Sequence, residues 1–123
     1  MSPKFHALLD YITVLAFAVA PTLLGLSGLA AMGAYILAGV HLLLTLMTRF
    51  PGGIFGAVPM RVHGFIELAV SLVLGVAPWA LPGLLPDFRD KLFYSAAGAV
   101  IFFVWLLSDY RAVQQPEPGN ALA

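Results

Sequence analysis

One stretch of the chain constrains its fold more than any other: between Asp10 and Arg49 lie 38 consecutive residues without a charged side chain. As one straight helix this stretch would be about 57 Å long, whereas the hydrocarbon core of a bilayer is about 30 Å thick. The stretch must therefore fold back on itself. Pro21 removes a helix hydrogen bond, and Gly25 and Gly28 favour a turn, so we expect the reversal between Pro21 and Gly28.

Two more uncharged stretches follow, at residues 68–86 and 92–108. Each has about the length of one membrane span. Ser2 is a favourable N-cap for the first helix, and Asp87 and Asp90 place negative charge where the dipole of the last helix favours it. The pattern predicts an all-α fold, a four-helix transmembrane bundle, with helices near residues 4–21, 29–49, 60–80 and 88–111.

The composition of the chain excludes several classes of protein. Of its 123 residues, 61% are hydrophobic and 10% are charged, against about 25% charged residues in a typical soluble domain. The absence of cysteine excludes disulfides and thiolate metal sites, and a net charge of zero gives no nucleic-acid footprint. The chain has no P-loop, no G-x-S-x-G, no H-E-x-x-H and no dinucleotide-binding motif, so we expect no enzyme. We predict one membrane domain over residues 1–112 and a flexible tail over residues 113–123.

The chain carries an internal duplication. When residues 4–10 (KFHALLD) are aligned with residues 61–67 (RVHGFIE), a basic residue, a histidine and an acid recur in order. The same alignment places residues 19–21 (VAP) on residues 76–78 (VAP). Because each unit holds two spans, both units enter the membrane from the same side, with the first helices of the two units facing each other near an axis along the membrane normal. The predicted units are two tandem parallel two-helix repeats, residues 3–50 and 59–112.

This repeated pattern resembles a known family. A histidine, an acid four residues later and an Ala-Pro helix end, occurring twice, is similar to the SPW-repeat integral membrane proteins of bacteria. The second unit carries the motif as Ala77-Pro78-Trp79, whereas in the first unit Ala20-Pro21 is followed by Thr22. The resemblance extends over residues 4–110. It implies a bacterial inner-membrane protein of two two-helix units and no particular activity.

The basic residues predict an orientation. Four of the six belong to the end of the bundle that holds both termini and the linker between helices 2 and 3. The other two, at the opposite end, are offset by two aspartates. The positive-inside rule therefore predicts that both termini are cytoplasmic. The four basic residues at the predicted cytoplasmic end are Lys4, Arg49, Arg61 and Arg111, and the two at the opposite end are Arg89 and Lys91.

Two apolar features are expected at the membrane interface. The linker, residues 50–60 (FPGGIFGAVPM), is uncharged, and we expect it to lie flat on the interface with Phe50, Ile54 and Phe55 open to a partner. Trp79 and Trp105 are expected near the interfaces, where tryptophan is enriched.

The ionisable residues within the predicted spans form the candidate site. Such residues are costly in a membrane and need a partner or a function. His6 and Asp10 share a helix face, and His63 and Glu67 repeat this pair in the second unit. By helix rise, His41 lies about 12 Å below the cytoplasmic end of helix 2, at a depth similar to that of the two carboxylates. We therefore expect all three histidines and both carboxylates to converge.

Three interpretations of this polar cluster are open at the level of sequence. The first is structural: hydrogen bonds between the pairs contribute about 0.6–2 kcal/mol inside a membrane bundle. The second is a ligand site, since imidazoles with carboxylates suit zinc, manganese or iron, and a histidine backed by a carboxylate suits haem or a pigment. The third is a path for protons or ions.

The leading hypothesis for function is a non-catalytic accessory or scaffold subunit. The short loops leave almost nothing polar to project from the membrane, and small residues on the helix faces favour lateral association. The expected partners are the lipid bilayer and other membrane subunits or further copies of the chain. By default we expect no cofactor.

Overall fold

In the computed structural model, which describes residues 1–108, the chain forms four α-helices. Each helix is long and apolar enough to cross a membrane. The prediction of an all-α fold with four spanning helices is confirmed, and by helix length and hydropathy this is a multi-pass membrane protein. Arg111 and the predicted tail lie outside the described residues. The helices are α1 (Pro3–Leu24), α2 (Gly28–Met47), α3 (Met60–Ala80) and α4 (Phe88–Leu107).

The predicted helix starts are confirmed by their caps. The Ser2 hydroxyl accepts a hydrogen bond from the Phe5 amide at 3.2 Å. At the start of α4, the Asp87 carboxylate accepts from the Arg89 amide at 2.9 Å, and Asp90 lies in the first turn. Both caps satisfy amides that have no partner within their helix. The starts of α1 and α4 are therefore fixed by their own local sequence.

The chain reverses within the predicted segment from Pro21 to Gly28, but α1 ends three residues later than predicted. The helix continues through Pro21 to Leu24 and ends at Gly25, which adopts the left-handed conformation with φ 65°. The Leu26 amide donates to the Pro21 carbonyl at 2.9 Å. A proline in the last turn loses one hydrogen bond of its own, while its carbonyl still serves to close the helix. Pro78 lies within the last turn of α3 in the same way.

The helices pack as two hairpins, α1 against α2 and α3 against α4. At the α3–α4 crossing, a Cβ on Gly98 would lie 2.7 Å from the Gly75 amide nitrogen, so only glycine allows this approach. The hairpins are joined by the buried Tyr94 hydroxyl, which donates to the Ala30 carbonyl at 2.6 Å. The outer helix surfaces expose large apolar side chains and so imply contact with the bilayer.

The linker between α2 and α3 folds back over the bundle, which corrects the expectation that Phe50 lies open. The Arg49 amide donates to the Val58 carbonyl at 2.8 Å, and the Tyr11 hydroxyl donates to the Gly52 carbonyl at 2.6 Å. Phe50 is buried because its ring packs on two imidazoles, whereas Phe55 is exposed as expected. The linker therefore closes one end of the bundle.

Candidate metal centre

Five buried ionisable side chains lie at the end of the bundle where α1 and α3 begin. His6 and His63 lie in the first turns of α1 and α3, and Asp10 and Glu67 lie one turn further along the same helices. These four are at most 2% exposed, and His41, on α2, is 8% exposed. All five residues singled out from the sequence are therefore at this place, on three of the four helices.

Four of the five converge on one point. The Nε2 atoms of His6 and His63 lie 3.4 Å apart. His6 Nε2 is 3.3 Å from Asp10 Oδ1 and 3.3 Å from Glu67 Oε2. His63 Nε2 is 3.1 Å from Asp10 Oδ2 and 3.8 Å from Glu67 Oε2. The site thus gathers one imidazole and one carboxylate from each hairpin.

Two hydroxyl groups contact the Nδ1 atoms of the two rings. His6 Nδ1 is 2.5 Å from the Ser108 hydroxyl, and His63 Nδ1 is 2.7 Å from the Thr48 hydroxyl. Each hydroxyl also donates to the carbonyl four residues earlier in its own helix, at 2.5 Å and 2.6 Å. When the single hydrogen of each hydroxyl goes to the carbonyl of its own helix, the hydroxyl accepts from the ring, and Nδ1 then carries the proton. In that tautomer, the Nε2 lone pairs of both neutral rings point into the cluster.

The sequence analysis did not identify these two hydroxyl residues, although the internal repeat contains a signal for them. Thr48 and Ser108 are the C-caps of α2 and α4. The alignment of the repeated His-acid motif pairs Thr48 with Trp105 instead, because the connection between the two helices is longer in the second hairpin. Aligning α2 with α4 by their own starts pairs the two C-caps. The repeat therefore has to be aligned helix by helix before these hydroxyls correspond.

His41 lies beside the four-residue group and not within it. Its Nε2 is 3.5 Å from Asp10 Oδ1 and, within residues 1–108, makes no hydrogen bond. A cavity of about 20 Å³, lined by His41, Glu67, Phe17 and Ile101 among others, lies next to it. This volume suits about one water molecule.

The cluster is closed off from water at the end of the bundle. The Phe50 ring centroid lies 6.2 Å from that of His6 and 5.6 Å from that of His63. Met60 and Ala7 are buried with Phe50 in the same small apolar group. Because water is excluded, any charge on the two carboxylates needs a positive partner within the site, and a protonated imidazole or a cation can supply it.

The donor set fits one divalent ion. With ligand distances of about 2.0–2.1 Å, the ligands of a tetrahedral zinc ion lie about 3.3–3.4 Å from one another. Five contacts among the four groups, which use both Asp10 oxygens, range from 3.1 Å to 3.8 Å, and one ligand atom of each residue lies within 4.8 Å of the other three. Two carboxylates and two neutral imidazoles also balance the charge of one divalent cation. The Nε2 atoms face each other rather than an open slot, so the geometry favours a single ion over haem or a pigment.

The helix-end motif lies at the opposite end of the bundle and takes no part in this site. Ala20, Pro21 and Pro78 are buried, whereas Trp79 is 47% exposed. The Trp79 indole donates to the Ser95 hydroxyl at 2.5 Å. The motif therefore serves helix ends and packing within the second hairpin. Its remaining member is Ala77, partly buried in the same last turn of α3.

Comparison of the chain with protein-family profiles, curated proteins and solved structures finds no match. The case for function therefore depends on the geometry of the site.

Proposed function

We propose that this small multi-pass membrane protein binds one divalent transition-metal ion of the zinc class between its two hairpins. The ligands are the Nε2 atoms of His6 and His63 and one oxygen each of Asp10 and Glu67. The observation that carries the proposal is the convergence of both Nε2 atoms with the two carboxylates, while each Nδ1 lies at hydrogen-bond distance from a helix C-cap hydroxyl. Histidines that bind metal typically donate their other ring N–H in this way, which fixes the tautomer and raises the basicity of the ligand.

A purely hydrogen-bonded cluster explains these contacts less well. When both rings are neutral with Nδ1–H engaged, neither Nε2 has a hydrogen for the carboxylates. One protonated ring supplies a single Nε2–H for two carboxylates and the other imidazole, and two protonated rings place two N–H donors at nitrogens only 3.4 Å apart. Asp10 Oδ2 also makes no hydrogen bond within the described residues, although His63 Nε2 lies 3.1 Å away. A hydrogen on that nitrogen would not point at the oxygen, whereas a cation between the four groups needs no such alignment.

The direct test is metal binding by the full chain in mild detergent. We expect the wild type to bind one Zn²⁺ per chain and the His6→Ala/His63→Ala variant to bind it about 100-fold more weakly or worse. Ser71→Ala is the matched control, since Ser71 is buried one turn from Glu67 and its hydroxyl donates to Leu68 of its own helix. A wild type without bound metal, or a double variant that binds like the control, contradicts the proposal.

The proposal also covers the relation between the two hairpins and their orientation in the membrane. Corresponding helices follow one another in the same order in the two hairpins, which supports two tandem parallel repeats related by an axis along the membrane normal. The resemblance to SPW-repeat proteins supports a bacterial inner membrane. The metal centre lies at the end that carries Lys4, Arg49 and Arg61, which on this proposal faces the cytoplasm.

A role as an accessory or scaffold subunit is compatible with a metal-bound bundle. It is supported by the short loops and the apolar outer surface of the described residues. Native mass spectrometry of the chain extracted from its own membrane tests it. Bound protein subunits support the role, whereas a lone chain contradicts it.

A further inference from the structure

We propose that His41 gives the metal ion a second, inner position. There the ion keeps Asp10 and Glu67, exchanges the two outer imidazoles for His41, and takes one water from the adjacent cavity. This inference depends on the proposed metal centre and concerns how the ion enters and leaves it.

The first evidence is the state of His41 itself. It is 8% exposed, and its Nε2 makes no hydrogen bond within residues 1–108. A buried polar atom that makes no hydrogen bond is destabilising, so its presence calls for an explanation such as an ion or a water. Its ion-pair contact is with Asp10 Oδ1 at 3.5 Å, an oxygen of the metal centre.

The second evidence is the arrangement around His41. Its nitrogens lie outside the group of four ligand atoms that are all within 4.8 Å of one another, so His41 does not share one compact shell with all of them. It lines the cavity of about 20 Å³ together with Glu67. Phe17 and Ile101, which line the same cavity, lie farther from the linker end of the bundle than the two outer imidazoles do. The cavity therefore lies on the inner side of the centre.

Charge makes the inner position accessible to a divalent ion. Both positions use the two carboxylates, so the ion stays neutralised when it exchanges imidazole ligands, and no unpaired charge is buried. Phe50 and the folded linker close the outer side. When α4 is aligned with α2 by their starts, the counterpart of His41 is Ile101, so only the first hairpin offers this ligand.

The experiment measures how fast Co²⁺ leaves the full chain in lipid nanodiscs. Excess chelator is added, and the loss of bound Co²⁺ is monitored by visible absorption. We expect His41→Ile to keep the Co²⁺ affinity within about threefold of the wild type and to slow release about tenfold or more. Ile101→Leu is the matched control on the same cavity, and we expect it to leave both quantities unchanged.

A second variant guards against a folding defect. His41→Gln keeps a polar side chain of similar reach but removes the imidazole, and it is expected to slow release to a similar extent. Release at the wild-type rate in a folded His41 variant overturns the inner position and leaves the metal centre intact. A wild type that binds no Co²⁺ overturns the metal centre, and the inner position with it.

Discussion

At the scale of single residues, two hydroxyl groups decide what the two outer imidazoles can do. Thr48 and Ser108 are the C-caps of α2 and α4, so the negative ends of those two helix dipoles lie close to the imidazole rings that the hydroxyls contact. His6, at the start of α1, bonds to the end of α4, and His63, at the start of α3, bonds to the end of α2. Each ring is thus oriented by the opposite hairpin, and its Nε2 is directed toward the centre of the cluster.

This arrangement predicts the effect of removing one hydroxyl. Thr48→Val keeps the shape of the side chain but leaves His63 Nδ1 without its acceptor, so we expect Zn²⁺ affinity to fall about 10–100-fold. Competition with a chromogenic chelator measures the change. Thr45→Val is the control, because the Thr45 hydroxyl is equally buried and donates to the His41 carbonyl of its own helix. Equal affinity in the two variants contradicts the assigned tautomer.

At the scale of helices, the sequence predicts the spans well and some of their ends poorly. Charge-free stretches define the spans because a charge in the bilayer core is costly. The prediction for α3, residues 60–80, agrees with the structure at both ends. The predicted end of α4, near residue 111, lies outside the described residues. Within them, the last helical residue is Leu107, and Ser108 is extended with its hydroxyl at hydrogen-bond distance from His6 Nδ1. Tertiary contacts of this kind leave no local signal in the sequence.

The candidate site shows the same limit. The depth of each ionisable residue follows from helix rise, and the repeat indicates which helices face each other. Neither argument shows that Phe50 covers the imidazoles, because that depends on how the linker folds over long range. Neither separates His41 from the other four, because its offset depends on side-chain reach as well as depth. The five residues of the site could therefore be predicted from the sequence. That four of them form one compact group and His41 lies beside it could not.

Helix packing yields a prediction at the α3–α4 crossing. A Cβ on Gly98 would lie 2.7 Å from both the Gly75 nitrogen and the Ser71 carbonyl oxygen, so Gly98→Ala must push the helices apart. We expect a loss of about 1–3 kcal/mol in the free energy of unfolding, measured by denaturation in detergent. Gly39→Ala is the control, since among the described residues its Cβ would meet nothing within 4 Å. An equal effect of the two substitutions contradicts the close crossing.

At the scale of the whole molecule, charge distribution predicts the orientation. At the end opposite the site, Arg89 donates to the Gly25 carbonyl at 3.1 Å and Lys91 to the Leu85 carbonyl at 2.6 Å, so both cations are engaged with loop backbone. Because the chain contains no cysteine, single substitutions report topology without background. We expect an impermeant thiol reagent applied to cells to label Gly83→Cys and to spare Ser2→Cys. The reverse pattern contradicts cytoplasmic termini.

The metal centre also predicts how the two hairpins hold together. The ion takes two ligands from each hairpin, so its binding should stabilise the folded bundle. Zn²⁺ at about 1,000 times its dissociation constant is expected to add about 4 kcal/mol to the free energy of unfolding. The His6→Ala/His63→Ala variant should gain much less under the same conditions. A similar rise in the two proteins would show that the metal acts elsewhere.

The central claim is that two imidazoles and two carboxylates from opposite hairpins hold one ion. X-ray absorption at the zinc edge of the Zn²⁺-loaded full chain tests it most directly. The account predicts a shell of four nitrogen and oxygen ligands at about 2.0–2.2 Å, with the outer-shell scattering of two imidazole rings. A shell of water oxygens without imidazole scattering would contradict it, as would a chain that retains no zinc.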